Sequence, residues 1–287
     1  MLIIIKDDYM KEKTIQTYDN NIIYYKHKRF NNKNKPTLVF IHGLSGNHTI
    51  WNNVVQYFHK KRYSTIAIDL YGHGKSSTVK QKSRYKLEYF AKDIDCILEK
   101  EKINNSIFVG HCLGGMVALI YEKLFPEKAK AFVLIGTTPA SFVRYQYSLM
   151  RYLPSFFYKL TTTIIGYATT PFSRKNKPYI DFSKLHKHNA FTIVYYDLQT
   201  TSLTAYAYTI LAMLHYNMKK YLPAINRPTL VIIGEDDKVL LRKSALDLHK
   251  NIRSSQLHIM KKTDHLVPMR KSIELAKIIE QFVRTKV

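Results

Sequence analysis

The sequence Gly110-His111-Cys112-Leu113-Gly114-Gly115 follows the apolar run Ile107-Phe108-Val109 and decides the fold. It places a thiol where a strand turns sharply into a helix, which is the pattern of a nucleophile elbow. We expect a strained backbone at Cys112, with Gly110 and Gly114 keeping the strand and the helix free of steric clash. An apolar stripe at near-helical spacing follows the turn. Taken alone, the motif also fits a buried thiol that merely packs beside glycines.

Four other strand-like runs end in loops that carry glycine or polar residues. Two lie upstream, residues 37–41 before His42-Gly43-Leu44-Ser45-Gly46 and residues 64–68 before Asp69-Leu70-Tyr71-Gly72-His73-Gly74-Lys75-Ser76. Two lie downstream, residues 230–233 before Gly234-Glu235-Asp236-Asp237 and residues 257–260 before Lys261-Lys262-Thr263-Asp264-His265. A candidate nucleophile, an acid and a histidine therefore follow one another along the chain.

These motifs resemble the α/β-hydrolase superfamily from residue 37 to the C-terminus, apart from a middle segment. The order nucleophile, acid, histidine is the one that this fold uses. The resemblance implies an α/β fold with a mainly parallel central sheet, helices on both faces and a helical cap insertion. The sequence departs from most relatives at Cys112, where they carry serine.

A Cys-His-Asp triad is the catalytic arrangement that this interpretation predicts. His265 is expected to take the proton of Cys112, and Asp237 to fix the imidazole tautomer and stabilise its cation. A thiolate–imidazolium pair should result. Asp237 is preferred to Asp236 because the family pattern places the acid three residues after the glycine that ends the strand, here Gly234. Asp236 remains open as the alternative acid.

The oxyanion hole is expected to consist of two backbone N–H groups, those of Leu44 and Leu113. Histidines inside the motif loops are interpreted as hydrogen-bonded supports, because their positions there suit bracing a turn. The predicted supports of the elbow and of the oxyanion loop are His42, Gly43, Gly110, His111 and Gly114. His73, Asp69 and Ser76 are expected to brace the loop that contains them.

Alternating strands and helices continue to residue 136 and return at residue 223. The predicted α/β-hydrolase core therefore comprises residues 1–136 and 223–287, opening with a hairpin over residues 15–26. Residues 137–222 are predicted to form the helical cap, which would shape an acyl pocket. Its aromatic residues fit that pocket or simple packing between helices: Phe142, Tyr145, Tyr147, Tyr152, Phe156, Phe157 and Tyr158.

The chain carries 45 basic and 21 acidic residues, a net charge of +24. The charge is scattered, without a long basic block, an RNA-binding signature or zinc-finger spacing, so nucleic acid is excluded as a partner. A composition rich in Lys, Asn, Ile and Tyr explains it without a selected function. If the charge does act, it should steer coenzyme A or acyl carrier protein thioesters, with contact to an anionic membrane surface as a weaker option.

Location and cofactors are predicted from what the sequence lacks. It has no run of about 18 apolar residues, and its first apolar residues are too few for a signal peptide. Its two cysteines, Cys96 and Cys112, fit a reducing compartment, so a cytoplasmic location is expected. Neither a metal-ligand cluster nor a dinucleotide fingerprint is present, and we expect no metal and no cofactor.

A cysteine nucleophile changes which acyl groups should react. A thiolate leaves a tetrahedral intermediate more readily than an alkoxide, so unactivated esters should tend to revert. Thioesters carry no such penalty, because their leaving group matches the enzyme's own. The sequence predicts a hydrolase that acts on a small-molecule carboxylic ester or thioester through an acyl-Cys112 intermediate. The alternatives are an acyltransferase using the same intermediate and a non-catalytic small-ligand-binding protein of the same fold.

Overall fold

The computed structural model describes residues 10–32, 34–44, 46–78, 81–126, 128–141, 164, 179–188, 192–193, 195–196 and 201–287. The strands within them are β1 (Lys11–Gln16), β2 (Ile22–Lys28), β3 (Thr37–Ile41), β4 (Thr65–Ile68), β5 (Ser106–His111), β6 (Ala131–Ile135), β7 (Thr229–Gly234) and β8 (Ser255–Met260). They form one sheet in the order β1-β2-β4-β3-β5-β6-β7-β8. The six strands β3 to β8 pair in parallel, which confirms the predicted mainly parallel sheet.

The first two strands form the expected antiparallel hairpin, which also pairs antiparallel with β4. However, β1 begins at Lys11 and not at residue 15. Its residues alternate between exposed and half-buried positions at the edge of the sheet, and most of them are charged or polar. Charged residues are typical of edge strands, and a search for apolar runs therefore misses the start of this one.

Helices cover both faces of the sheet, as predicted. Within the described residues, the helices with defined bounds are α1 (Asn52–Lys60), α2 (Leu87–Lys100), α3 (Leu113–Leu124), α4 (Leu203–His215), α5 (Arg242–Asn251), α6 (Val267–Arg270) and α7 (Ser272–Lys286). The apolar side chains of α1 and α7 pack in one core cluster, and those of α2, α3 and α5 pack in the other. The short helices His48–Trp51, Lys82–Tyr85, Phe182–Leu185 and Leu222–Ala224 are of the 3-10 type.

The central strand β5 shows why both faces must be covered. Phe108 belongs to the cluster that includes α2 and α3, whereas Ile107 and Val109 belong to the cluster that includes α1 and α7. Successive side chains of a strand point to opposite faces, so an unbroken apolar strand needs apolar partners on both. This burial fixes β5 in the middle of the sheet and leaves the loop at its carboxyl end for the site.

The middle segment is described only in part. Its described elements include the 3-10 helix Phe182–Leu185 and the helix α4. The aromatic residues proposed for an acyl pocket lie outside the described residues: Phe142, Tyr145, Tyr147, Tyr152, Phe156, Phe157 and Tyr158. The boundaries of core and cap therefore stay a prediction. In the described part of the chain, no helix is both long enough and apolar enough to cross a membrane.

Candidate active site

The elbow after β5 holds Cys112 in an unusual backbone conformation. Its φ is 51° and its ψ is −111°, and α3 begins at the next residue. Positive φ is rare for a residue with a side chain, so the surrounding structure must impose this conformation. The strained turn expected from the sequence is thus present, and Cys112 is 8% exposed.

Glycines let the elements around this turn approach closely. A Cβ on Gly110 would lie 2.5 Å from the carbonyl carbon of Gly114. A Cβ on Gly114 would overlap the carbonyl oxygen of Ile41, the last residue of β3. Both glycines are therefore required by close approach of the backbone, as their positions in the motif predicted.

Thr137 anchors the elbow from the neighbouring strand. It follows β6, and its hydroxyl donates a hydrogen bond of 2.7 Å to the carbonyl oxygen of Cys112. A Cβ on Gly115 would lie 2.7 Å from the Cβ of Thr137. Through these contacts Thr137 braces the elbow from the carboxyl end of β6.

The carboxylate of Asp237, not that of Asp236, faces the imidazole of His265. Asp237 Oδ2 lies 2.8 Å from His265 Nδ1, and its Oδ1 accepts the N–H groups of Val239 and Leu240, each at 2.8 Å. Asp237 is buried, whereas Asp236 is exposed. The loops after β7 and β8 thus bring the acid and the histidine together at the edge where β5 ends.

The surroundings of His265 raise the pKa of its imidazole. Burial on its own would lower the pKa of His265, but the neighbouring Cys112 and the hydrogen bonds to Asp237 and Cys112 outweigh burial and raise this pKa to about 10. Because Nδ1 is bonded to Asp237, Nε2 is the nitrogen left to interact with Cys112. The three predicted triad side chains therefore form one continuous chain of contacts.

The predicted oxyanion loop packs directly against the elbow. A Cβ on Gly43 would lie 3.2 Å from the Cβ of Cys112 and 3.0 Å from Nδ1 of His111. His42 Nδ1–H donates to the carbonyl oxygen of Gly43 at 2.7 Å, and its Nε2 accepts the N–H of Leu70 at 3.0 Å. Gly43 C=O and Leu44 N–H belong to one planar trans peptide and point in opposite directions, so His42 also orients the N–H of Leu44.

The positions of Leu113 and His42 are compatible with their predicted roles, an oxyanion N–H group for Leu113 and a loop support for His42. Leu113 is the first residue of α3, and N–H groups in the first turn of a helix have no acceptor within that helix. Burial, together with the proximity of His73, lowers the pKa of His42 to about 3. His42 is therefore neutral and acts through hydrogen bonds, not through charge. The oxyanion hole itself stays a prediction.

His111 connects the elbow to His265. Its Nε2 lies 2.9 Å from the carbonyl oxygen of His265, and the two rings are 4.8 Å apart between centroids. Burial and then the nearby His265 lower the pKa of His111 to about 3, so it is neutral and donates from Nε2. Its Nδ1 has no hydrogen-bond partner among the described residues and packs on Gly43. His111 therefore contacts both His265 and Gly43, and its role as a support stays a prediction.

A second histidine–aspartate pair was missed by the sequence analysis. His48 Nδ1 lies 2.7 Å from Asp69 Oδ1, and both side chains are buried. The expected bracing by Asp69 and Ser76 is present as well, since Asp69 Oδ2 accepts the N–H of Lys75 at 2.8 Å and Ser76 donates to Asp69 O at 2.6 Å. The signal that could have indicated the pair is a histidine close behind the His42-Gly43 motif. Over the described ranges, no group of three or more His, Cys, Asp or Glu side chains could hold a metal ion.

Comparison with known proteins identifies the family. The sequence profile for the alpha/beta hydrolase fold matches residues 36–272 of this chain. The chain belongs to the α/β-hydrolase family. This hydrolase is 26% identical over 235 residues to "Putative esterase/lipase 2" of Mycoplasma genitalium, with 82% of each chain covered. It is 25% identical over 286 residues to "Uncharacterized hydrolase YugF" of Bacillus subtilis, covering 93% of this chain and 96% of that one.

A solved structure of the family is also similar. The esterase EaEST from Exiguobacterium antarcticum matches this hydrolase with a TM-score of 0.75 and 19% identity, covering 96% of this chain and 100% of that chain. At this level of identity the likeness concerns the fold alone. The predicted α/β-hydrolase fold is confirmed, and the chain is an enzyme of that family.

Proposed function

We propose that this α/β-hydrolase cleaves a carboxylic ester or thioester through an acyl-Cys112 intermediate. One observation carries the proposal: a thiol held at positive φ on the elbow lies beside the imidazole of His265, whose Nδ1 is 2.8 Å from Oδ2 of the buried Asp237. A buried cysteine that only packed beside glycines would need neither the strained turn nor the paired histidine. The relative named as an esterase/lipase supports the same reaction class.

The first half of the reaction forms the acyl-enzyme. The thiolate of Cys112 attacks the carbonyl carbon, and the electron pair moves onto the carbonyl oxygen, which the N–H groups of Leu44 and Leu113 stabilise. The intermediate then collapses, the bond to the leaving group breaks, and His265 donates its proton to the departing thiolate or alkoxide.

The second half releases the acid. Neutral His265 takes a proton from water, whose oxygen adds to the acyl carbon, and collapse of the second intermediate expels the thiolate of Cys112. Asp237 stabilises the imidazolium in both halves. An alcohol or amine in place of water would make the enzyme an acyltransferase, which is the alternative within the same chemistry.

We propose a thioester as the preferred substrate class. The leaving thiolate of a thioester competes evenly with that of Cys112, whereas an alkoxide is the poorer leaving group. The net charge of +24 would attract the phosphates of coenzyme A or the acidic surface of an acyl carrier protein. We further propose that the cap shapes an acyl pocket and that contact with a membrane surface is weak. A cytoplasmic location is part of the same proposal, because it suits two free thiols.

Mass spectrometry of the intact protein tests the covalent step. The reduced enzyme is mixed with p-nitrophenyl esters and acyl thioesters of several chain lengths, beside Cys112→Ala, and Cys96→Ala serves as the matched control for the second thiol. We expect a transient acyl adduct on the native protein and on Cys96→Ala, and none on Cys112→Ala. Turnover without an adduct, or with an adduct on Cys112→Ala, would refute the acyl-Cys112 intermediate. Tight ligand binding without turnover would favour the binding-protein alternative.

A further inference from the structure

A hydrogen-bonded chain leads from the middle segment into the core. The hydroxyl of Tyr179 lies 3.0 Å from His48 Nε2, and His48 Nδ1 lies 2.7 Å from Asp69 Oδ1. Asp69 Oδ1 also accepts the N–H of His48 at 2.7 Å. Because the carboxylate fixes the proton on Nδ1, Nε2 is the acceptor of the tyrosine hydroxyl. Asp69 and His48 are fully buried, whereas Tyr179 is 43% exposed.

Residues next to Tyr179 make further hydrogen bonds beside this hydrogen-bonded chain. We call residues 179–182 the docking segment. The side-chain amide of Asn47 donates to Ile180 O at 3.0 Å, and the N–H of Phe182 donates to the hydroxyl of Thr49 at 2.8 Å. Phe182 itself is fully buried in the core cluster that includes α1. The docking segment therefore seats on residues 47–49, which directly follow the oxyanion loop in the sequence.

At its Asp69 end, the hydrogen-bonded chain reaches the loop that carries His73. This loop also contacts Leu44. Asp69 Oδ2 accepts the N–H of Lys75, within the loop that carries His73. His73 Nε2 lies 3.0 Å from the carbonyl oxygen of Leu44. A Cβ on Gly74 would overlap the Asp69 carboxylate, so this loop is closed tightly around it. Asp69 is thus the common anchor of both loops that position Leu44.

We infer that Tyr179 and His48 are positioning residues, which couple docking of the middle segment to the placement of the Leu44 N–H in the oxyanion hole. The inference rests on the proposed function. It gives residues 179–182 a role in the chemical step and not only in enclosing a substrate. Removing the Tyr179 hydroxyl leaves a buried acceptor on His48 without its partner and loosens the segment that follows Leu44.

The test is Tyr179→Phe, which removes the hydroxyl and keeps the ring. Tyr221→Phe is the matched control, because its hydroxyl also joins the core, donating to Glu122 O near the end of α3 at 3.2 Å. Two probes of Cys112 are compared. A short aldehyde forms a tetrahedral adduct that needs the oxyanion hole, whereas alkylation by iodoacetamide, followed on the Cys112 peptide, does not.

We expect Tyr179→Phe to weaken aldehyde inhibition and lower kcat about 5-fold, the size of one hydrogen bond, with KM and the alkylation rate unchanged. Hydrogen exchange should quicken at residues 46–52. Tyr221→Phe should change none of these. Unchanged aldehyde inhibition and unchanged exchange in Tyr179→Phe would overturn the inference.

Failure of the proposed function gives a different pattern. If the native protein is neither inhibited by the aldehyde nor alkylated at Cys112, the nucleophile assignment fails. Hydrogen exchange still tests the coupling in that event, because it does not depend on catalysis. Exchange at residues 46–52 that is as slow in Tyr179→Phe as in the native protein would then overturn the inference on its own.

Discussion

Two aspartate–histidine pairs lie at the carboxyl ends of parallel strands, and only one of them faces a thiol. Asp237 follows β7 and meets His265 Nδ1 at 2.8 Å, while Asp69 follows β4 and meets His48 Nδ1 at 2.7 Å. In both pairs the carboxylate also accepts backbone N–H groups. By the distance between acid and imidazole alone, the two pairs cannot be told apart.

The two pairs differ in the group that each histidine contacts on its other side. His265 meets Cys112, which stands on the strained elbow, whereas His48 meets the hydroxyl of Tyr179. His48 is 1% exposed, and its Nε2 is occupied by the hydroxyl of Tyr179, which leaves no room there for a substrate. The role that we propose for each pair therefore depends on the group that Nε2 reaches: catalysis for the pair beside Cys112, and loop positioning for the pair beside Tyr179.

Exchanging each histidine for glutamine should give the largest contrast. His265→Gln removes the group that we propose moves protons at Cys112, and we expect kcat/KM to fall by about 10³-fold or more. His48→Gln, the matched variant, should lose about 5-fold, as expected for a positioning residue. Steady-state hydrolysis of the best thioester measures both. Equal losses would mean that the two pairs do not differ in role.

Exchanging each aspartate for asparagine should separate activity from stability. Asp237→Asn should lower kcat about 10- to 100-fold, less than the ~10⁴-fold of a serine triad, because a thiolate needs less help from its base. Asp69→Asn leaves His48 and two backbone N–H groups with a weaker acceptor, and we expect a loss of about 2–3 kcal/mol in unfolding free energy. Urea denaturation and kcat are measured on both variants. A stable but inactive Asp69→Asn would contradict the assignment.

The sequence predicted the Asp237–His265 pair because an acid and a histidine each lie in the loop after a late strand, and the family resemblance places the acid three residues after Gly234. Parallel strands bring their carboxyl ends to one edge, so motifs far apart along the chain meet in space. The same argument predicted the elbow, since only glycine tolerates the approach of Gly110 to Gly114. By contrast, the Asp69–His48–Tyr179 chain depends on a side chain 131 residues away from His48. No local periodicity or spacing encodes that contact.

The pKa of His265 offers a smaller but direct test of the comparison. Burial opposes its protonation, and Cys112 and Asp237 together raise the pKa to about 10. Replacing Cys112 by alanine removes one of the two contributions, so the pKa should fall and the imidazole should lose its proton at lower pH. NMR titration of the imidazole, assigned by its absence in His265→Gln, measures the change. An unchanged pKa in Cys112→Ala would show that Cys112 does not sustain the imidazolium.

A third carboxylate–imidazole pair lies outside the proposed active site. Its disruption should have the smallest effect on activity and stability. Glu101 Oε2 lies 2.9 Å from His27 Nδ1, and Glu101 is also bonded to Lys13 and Tyr25. Here burial prevails, aided by the nearby cations Lys13 and Arg29, and the pKa of His27 is lowered despite Glu101. An acidic partner therefore does not by itself make a histidine cationic.

Glu101→Gln tests this third pair without touching the site. Burial opposes ionisation of Glu101, but the hydrogen bonds from Lys13 and Tyr25 and the nearby His27 lower its pKa to about 2. A depressed carboxyl pKa stabilises the fold above the unfolded value of about 4.3, and this contribution disappears as the pH falls toward 2. We expect kcat to be unchanged and unfolding free energy to fall by about 1 kcal/mol at pH 7, with the difference vanishing near pH 2. A loss of activity in Glu101→Gln would mean that the β1–β2 edge is coupled to the site, and the contrast between catalytic and structural pairs would no longer hold.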